Sequence, residues 1–284
     1  MMMVGALALA LVYPKPTGIQ NTQQGSVGTV DYGLNDSALE WRSMQPLIIA
    51  HRGASANAKE NTLSAFERAI AFGADMVEFD VRRTKDRVLV IYHDAEVKEK
   101  PIRKLTYAEL QILDPDIPTL AEVVNLCKGK IRLDVELKEA GYEKQVMEIL
   151  RPAFDAESMV VTSFHPFAIR RIKQHYPDVK AGFLFGHGTV KFCKSFRLNA
   201  KSVRDRVREM GADFIAPNWQ LLSHTLLSQV VMGDRPVWVW TVNDEPLMTD
   251  LLGDRRIQGI ITDRPDVGLH LRESHPNARL AGRV

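Results

Sequence analysis

Acidic side chains alternate with apolar ones in two separate stretches of this sequence. Glu78 and Asp80 stand two residues apart in the first stretch, and Asp134, Glu136 and Lys138 alternate in the second. Side chains two residues apart in a β-strand project from the same face. If both stretches are strands, the sequence predicts two rows of charged groups that face the interior of the protein.

Carboxylates that face a protein interior are costly unless a cation or a proton accompanies them. Packing alone would favour branched aliphatic residues at such positions, so two strands that carry acids there indicate a site. A set of oxygen ligands suits a hard cation such as Mg²⁺ or Ca²⁺ better than zinc. We therefore expect a divalent metal site, with pairing of the carboxylates to Lys or Arg as the alternative.

Two histidines stand next to charged residues at the ends of apolar runs. His51-Arg52-Gly53 follows one run and His93-Asp94 follows another. Imidazoles titrate near neutral pH and are the usual general acids and bases. Arg52 and Lys138 add cationic donors that suit phosphate oxygens. Two histidines, a hard metal and two cations together favour phosphoryl transfer over acyl or hydride chemistry.

Two other hydrolase chemistries lack their residues in this chain. An amidohydrolase barrel would place His-x-His at the end of the first strand, where this chain has His51-Arg52-Gly53. The Gly-x-Ser-x-Gly motif of serine hydrolases is absent from the sequence.

The chain from residue 46 onward alternates short apolar runs with helix-like stretches. The eight predicted strands are Leu47–Ala50, Met76–Val81, Ile131–Leu137, Met159–Thr162, Gly182–Phe185, Asp213–Ala216, Val237–Thr241 and Ile257–Ile261. Predicted helices lie at Thr62–Phe72, Ala121–Leu126, Glu143–Leu150, Phe167–Gln174, Lys201–Met210, Leu221–Met232 and Pro246–Leu252. An extra strand, Val88–Tyr92, follows the second strand and predicts a short hairpin insertion.

This alternation of strands and helices predicts an α/β fold with a parallel sheet, because parallel strands need crossover connections. Eight units in about 230 residues are typical of a TIM (β/α)8 barrel, whose catalytic groups lie at the C-terminal ends of the strands. A doubly wound open sheet is the alternative. It would usually carry a Gly-rich phosphate loop, and neither G-x-G-x-x-G nor G-x-x-x-x-G-K-[ST] occurs here.

Composition and charge are those of an ordinary globular protein. The 284 residues are 45% hydrophobic and 25% charged, with a net charge of +2. This charge argues against a nucleic-acid partner. We divide the chain into an N-terminal tail or signal-like lead-in at 1–45, a barrel at 46–275 and a C-terminal tail at 276–284. The apolar run Val4–Tyr13 is too short to span a bilayer, and no Lys or Arg precedes it.

Nine short segments in order resemble the glycerophosphodiester phosphodiesterase (GDPD) family over roughly residues 47–273. Any one segment is a weak signal, but nine in the correct order are highly specific. They are His51-Arg52-Gly53, Glu60-Asn61-Thr62, Glu78-Phe79-Asp80, His93-Asp94, Pro118-Thr119-Leu120, Glu136-Leu137-Lys138, Ser163-Phe164, Trp240-Thr241-Val242-Asn243 and Thr262-Asp263-Arg264-Pro265.

The resemblance implies a metal-dependent enzyme that hydrolyses glycerophosphodiesters to glycerol 3-phosphate and an alcohol. It implies that His51 and His93 are the acid–base pair, acting through a cyclic phosphate. The implied metal ligands are Glu78, Asp80 and Glu136, with a contribution from Glu60. The implied substrate-binding residues are Arg52 and Lys138 for the phosphate and Trp240 as an apolar wall. For Glu60, a first-turn carboxylate that favours the helix dipole is the alternative.

The sequence departs from the family pattern at three places. Lys59 stands where the family usually has Pro, and Asp86-Arg87 replaces an Asp-Gly hairpin turn. The stretch after His93-Asp94 is short, which predicts a reduced inserted lobe. The last two departures bear on the shape of the substrate pocket and on the loop that carries His93.

The expected partner is a small glycerophosphodiester, and a membrane-surface contact by the basic segment 187–208 is a weaker alternative. A lysophospholipase D-type hydrolase is the alternative activity, and a non-catalytic phosphate-binding barrel is the alternative from another class. We expect a cytoplasmic location, or a secreted or periplasmic one if residues 1–14 act as a signal.

Overall fold

The computed structural model describes residues 45–186, 205, 207–222 and 235–275. The run Val4–Tyr13 lies outside these residues, and so do most of the basic segment 187–208, half of the predicted helix Lys201–Met210 and most of the predicted helix Leu221–Met232.

Eight parallel strands close into a barrel, as predicted. They are β1 (Leu47–Ala50), β2 (Met76–Arg83), β6 (Arg132–Leu137), β7 (Met159–Ser163), β8 (Lys180–Phe185), β9 (Phe214–Pro217), β10 (Val237–Val239) and β11 (Ile257–Thr262). Closure comes from β1, which pairs with β11 on one side and with the start of β2 on the other. The predicted strand ends agree with these bounds to within two residues.

Helices follow the strands on the outside of the barrel. Those described are α1 (Leu63–Phe72), α2 (Tyr107–Leu113), α3 (Leu120–Cys127), α4 (Glu143–Leu150), α5 (Pro166–His175), α6 (Glu245–Leu252) and α7 (Pro265–Ser274). Their apolar faces and the outward side chains of the strands form one large core cluster. Within the described residues, none of the helices has the length and apolar character that crossing a membrane requires.

The lower part of the lumen is packed with apolar side chains. Phe214 and Trp238 stack there with ring centroids 4.2 Å apart. Two strand glycines make room for them: a Cβ on Gly182 would lie 2.2 Å from the Phe214 ring, and one on Gly259 would lie 2.7 Å from the Trp238 ring. Trp238 is fully buried in this layer. Within the described residues, the side chains that pack together in this part of the lumen are apolar.

The insertion after β2 is a hairpin with a small lobe of its own. β3 (Leu89–Ile91) pairs antiparallel with the upper half of β2, as predicted. β4 (Glu96–Val97) and β5 (Lys100–Pro101) form a second hairpin. Helix α2 was not predicted, although Thr106 and Glu109 form a capping box at its start.

Two of the departures from the family pattern have structural roles in this lobe. Arg87 adopts a left-handed conformation with φ of 68°, the backbone geometry that a glycine in the Asp-Gly turn would provide. Lys59 Nζ lies 2.8 Å from Asp114 and 3.1 Å from Asp116, and thus joins the loop before α1 to the inserted lobe.

Candidate active site

Inward side chains of β2 and β6 form two charged layers above the apolar floor of the lumen. The register pairs Glu78 with Asp134 and Asp80 with Glu136. All four carboxylates are buried. The intervening residues of β2, such as Phe79, pack outward in the core cluster under the helices. This confirms the predicted alternation, in which the acidic side chains face inward and the apolar ones face outward.

Three of these carboxylates are close enough to share one cation. Glu78, Asp80 and Glu136 each offer an oxygen, and these oxygens all lie within 4.8 Å of one another. Three buried oxygen donors with this spacing fit a hard divalent cation. In the part of the chain that the structure describes, this triad is the one such cluster of acidic, His or Cys side chains.

Two of the three carboxylates of the triad have raised pKa values. Burial raises the pKa of Glu136 to about 7, and the charge of Asp80 adds to the effect while Lys138 opposes it. Burial also raises the pKa of Glu78 well above its usual range. Asp80 differs, because Lys138 and Arg52 outweigh the effect of its burial and hold its pKa at about 2. A bound cation would stabilise the ionised forms of all three groups.

Asp134 lies in the layer below the triad. Burial raises its pKa to about 7, although the Thr162 hydroxyl donates a hydrogen bond to Oδ1 at 2.8 Å. Among the described residues, its Oδ2 has no hydrogen-bond partner. This environment favours a protonated carboxyl in the metal-free protein.

The two predicted phosphate-binding cations lie among the carboxylates. Lys138 Nζ is 3.1 Å from Asp80 and 2.8 Å from Glu136, and its side chain is 11% exposed. Arg52 Nε is 3.3 Å from Asp80, while its Nη1 donates to both oxygens of Glu60 at 2.9 Å. Both cations thus stand beside the triad.

Glu60 does not lie in the triad, in contrast to the other three predicted ligands. Its side chain is 50% exposed and its carboxylate pairs with Arg52. The neighbouring Asn61 occupies the inner position instead, because its backbone turns left-handed with φ of 57°. Asn61 Nδ2 donates to Asp80 Oδ2 at 2.8 Å, and Thr62 is the N-cap of α1. In the sequence, Asn61 stood out only as part of the segment Glu60-Asn61-Thr62.

His51 follows β1 directly and is held by groups from the opposite end of the chain. Its Nδ1 lies 2.6 Å from Asp263 Oδ1, in the segment after β11. Asp263 also accepts hydrogen bonds from Asn243 Nδ2 at 2.5 Å and from Ser55 Oγ at 2.9 Å. These bonds and the charge of His51 hold the pKa of Asp263 at about 2 against the effect of burial. Arg52, next in the chain, donates its backbone N–H to Glu78 at 2.9 Å, which ties the His51 loop to the triad.

Asp263 and Asn243 were quoted in the sequence only within longer motifs and were given no role there. Asp263 follows β11 and Asn243 follows β10. A search for polar residues just after the barrel strands would therefore have found both. Ser55 has no comparable signal, since it stands in the loop after β1.

His93 reaches the site on the hairpin rather than on a barrel strand. Its Nδ1 lies 2.8 Å from Asp94 Oδ1, and its side chain is 38% exposed. Burial lowers its pKa, followed by the charges of Lys138 and Arg52, while Asp80 acts in the opposite direction. His93 is therefore within electrostatic reach of the same cations and carboxylate that surround the triad.

One side of the site is aromatic. Trp240, directly after β10, packs edge-to-face against Phe164 with ring centroids 5.6 Å apart. Trp240 Nε1 donates to the carbonyl of Ala216 at 2.7 Å, which fixes the indole ring. Trp240 is half-buried at this strand end.

Comparison with known proteins identifies a matching family and several similar proteins. The model of the Glycerophosphoryl diester phosphodiesterase family matches residues 51–267. YhdW of Bacillus subtilis (strain 168) is 32% identical over 248 residues, which cover 77% of this chain and 95% of YhdW. The glycerophosphodiester phosphodiesterase of Caldanaerobacter subterraneus subsp. tengcongensis is 30% identical over 251 residues, covering 80% of this chain and 98% of that enzyme.

A solved structure agrees in fold along almost its whole length. The crystal structure of the glycerophosphodiester phosphodiesterase from Thermotoga maritima superposes with a TM-score of 0.69 at 28% identity, covering 81% of this chain and 99% of that one. The family match spans the strand ends that carry both histidines and the acidic triad. The chain therefore belongs to the glycerophosphoryl diester phosphodiesterase family and is a phosphoric diester hydrolase.

Proposed function

We propose that the enzyme hydrolyses glycerophosphodiesters to glycerol 3-phosphate and an alcohol with a bound divalent cation, Mg²⁺ or Ca²⁺. The observation that carries this proposal is the approach of Glu78, Asp80 and Glu136 to within 4.8 Å of one another. Lys138 and Arg52 stand beside them. Burial and mutual repulsion raise the pKa values of Glu78 and Glu136, and a bound cation would relieve that repulsion.

His51 and His93 are the proposed acid–base pair. Each ring has its Nδ1 on a carboxylate, Asp263 for His51 and Asp94 for His93. A carboxylate on one ring nitrogen fixes the ring and leaves Nε2 to exchange a proton with substrate. Each histidine thus has a carboxylate on Nδ1. This shared arrangement supports the proposal that both transfer protons at one site.

The proposed reaction uses the glycerol 2-hydroxyl as nucleophile. One histidine accepts its proton, the oxygen attacks phosphorus, and the bond from phosphorus to the head-group oxygen breaks. The other histidine donates a proton to that departing alcohol. Water then opens the resulting cyclic phosphate to give glycerol 3-phosphate. A divalent cation on the triad, when bound, supplies positive charge that stabilises the charge growing on the phosphate oxygens.

The chain's own cations and aromatic wall orient the substrate in this proposal. Arg52 and Lys138 exchange part of their contact with carboxylates for the phosphate oxygens, since guanidinium and ammonium groups both bind phosphate. Trp240 presents its half-buried ring to the glycerol or the head group. Positioning of this kind supplies much of the rate enhancement in phosphoryl transfer.

The decisive experiment is release of glycerol 3-phosphate from glycerophosphocholine by the full chain, with and without a chelator. We expect turnover that the chelator abolishes and that added Mg²⁺ or Ca²⁺ restores. His51→Ala and His93→Ala should each lower kcat by ~10²–10⁴-fold while the protein stays folded. Metal-independent turnover would contradict the proposed role of the triad.

Two substrate comparisons test the finer points. An analogue without the 2-hydroxyl should not turn over, and its rapid hydrolysis would exclude the cyclic phosphate path. Turnover of a lysophospholipid in preference to glycerophosphocholine would assign the enzyme to lysophospholipase D-type activity instead. Both comparisons use the same assay, in which the amount of released alcohol is measured.

A further inference from the structure

His93 is carried by a two-stranded hairpin, and the hairpin ladder ends just before it. The pairing of β2 with β3 runs from Arg83 and Leu89 to Val81 and Ile91. One more bond, from Tyr92 N to Asp80 O at 2.9 Å, continues it. Ladder ends open more readily than ladder centres. A catalytic ring at this place therefore needs a restraint beyond the hairpin.

Arg82 supplies such a restraint from inside the barrel. It is the next inward residue of β2 after Asp80, and its side chain is 11% exposed. Its Nε and Nη2 both donate to the backbone carbonyl of His93, at 3.0 and 2.5 Å. Two N–H bonds from one planar guanidinium converge on this single oxygen and restrain the position of the carbonyl.

The third guanidinium nitrogen of Arg82, Nη1, contacts the loop after β6. Arg82 Nη1 donates to Glu139 Oε1, and Glu139 directly follows Lys138. The Tyr142 hydroxyl lies 2.8 Å from Glu139 Oε2 and 2.7 Å from the carbonyl of Val81, and it accepts the Glu139 N–H at 3.0 Å. Tyr142 is 4% exposed. Through Glu139, the guanidinium thus connects the loop that carries His93 to the loop that carries Lys138.

We propose that Arg82 is a positioning residue for catalysis, which holds the His93 backbone in place through its carbonyl and fixes it relative to Lys138. The inference rests on the proposed acid–base role of His93. Among the contacts of the described residues, Arg82 bonds His93 and Glu139 and none of the three triad carboxylates. We therefore expect substitution of Arg82 to change the position of His93 and to leave metal binding unchanged. A lysine at this position would keep the charge but lose the paired bonds.

The test compares Arg82→Lys and Arg82→Gln with the wild-type full chain on glycerophosphocholine. We expect kcat to fall ~10–100-fold, the range typical of residues that orient a functional group. The KM and the half-activating metal concentration should change by no more than about twofold. Amide hydrogen exchange over residues 93–97 should become faster, and millimolar guanidinium should restore part of the activity of Arg82→Ala.

Arg83→Gln is the matched control. Arg83 is the adjacent residue of β2, and its guanidinium lies over the Tyr142 ring at 5.5 Å on the outward side. The control removes the same charge from the same strand without touching the His93 carbonyl. Its kcat and the exchange over residues 93–97 should stay at the wild-type values.

The outcomes separate this inference from the proposed function. Full activity of His93→Ala would overturn the role of His93 itself. An inactive His93→Ala together with wild-type kcat in Arg82→Gln would overturn only the positioning role. If Arg82→Gln does not fold, Glu139→Gln tests the same network at a side chain that is 46% exposed. Unchanged kcat and unchanged loop exchange in that variant would also overturn the proposal.

Discussion

The Nδ1 atom of His51 lies 2.6 Å from Oδ1 of Asp263, a residue 212 positions further along the chain. Closure of the barrel creates this contact, because β1 pairs with β11 and brings the two strand ends side by side. The carboxylate fixes the ring and selects which nitrogen faces away from it. Asn243 and Ser55 in turn hold the carboxylate.

Asp263→Asn should lower kcat ~10²–10⁴-fold without a comparable change in KM. An amide can donate to Nδ1 and so favours the wrong tautomer of the imidazole, which is why such a change is costly where His and Asp act together. Steady-state kinetics on glycerophosphocholine provide the measurement. Asp178→Asn is the control, since Asp178 pairs with Arg151 near the N-terminal end of β8, at the other end of the barrel. A kcat within threefold of wild type would argue against the positioning of His51 by Asp263.

The same contact predicts an acid-sensitive contribution to stability. The pKa of Asp263 is lowered to about 2, from an ordinary value of 3.8. A lowered carboxyl pKa stabilises the fold above the ordinary value and loses that effect as pH falls through the lowered one. With allowance for partial exposure this amounts to about 1–2 kcal/mol. Urea unfolding of wild type and Asp263→Asn should show a wild-type stability that declines more steeply between pH 4 and pH 2; parallel curves would contradict the shift.

Metal affinity should depend on pH through the triad. Because the pKa of Glu136 is about 7 in the metal-free protein, binding must displace a proton at neutral pH and below. We expect the apparent dissociation constant for Mg²⁺ or Ca²⁺ to rise as pH falls from 8 to 6. Calorimetric titration in two buffers of different ionisation enthalpy measures the proton release directly.

A charge-removing variant provides a second check on the metal site. Glu136→Gln should raise the half-activating metal concentration by ~10-fold or more, because one anionic ligand is lost. The control Glu148→Gln alters a side chain that is 61% exposed and paired only with Lys144 among the described residues. Equal metal dependence in both variants would remove Glu136 from the ligand set.

Packing in the lower lumen should be sensitive to a single methyl group. A Cβ on Gly182 would stand 2.2 Å from the Phe214 ring, so the ring or the strand must shift. Overpacking of this kind typically costs 1–3 kcal/mol. Thermal unfolding should therefore show a lower Tm for Gly182→Ala. Gly253→Ala, whose Cβ would find its nearest neighbour at 3.5 Å, should stay close to wild type.

The sequence was sufficient for the strands, their inward faces and the class of chemistry. Strand parity alone placed Glu78 with Asp80, and Asp134 with Glu136, in the lumen. These features depend on neighbours in the chain, because the two-residue repeat of a strand fixes which face a side chain takes. The capping box before α2 was present in the sequence as well, at Thr106 and Glu109.

Contacts between distant segments were decided only by the tertiary structure. Closure of the barrel pairs His51 with Asp263, and the hairpin brings the His93 carbonyl to Arg82. A left-handed backbone at Asn61 turns that side chain toward Asp80, while Glu60 pairs with Arg52. No periodicity encodes such contacts, since they depend on how strands register around the barrel and on which φ value each loop residue adopts. The sequence by itself therefore determined which groups face the lumen, and the fold determined which of them touch.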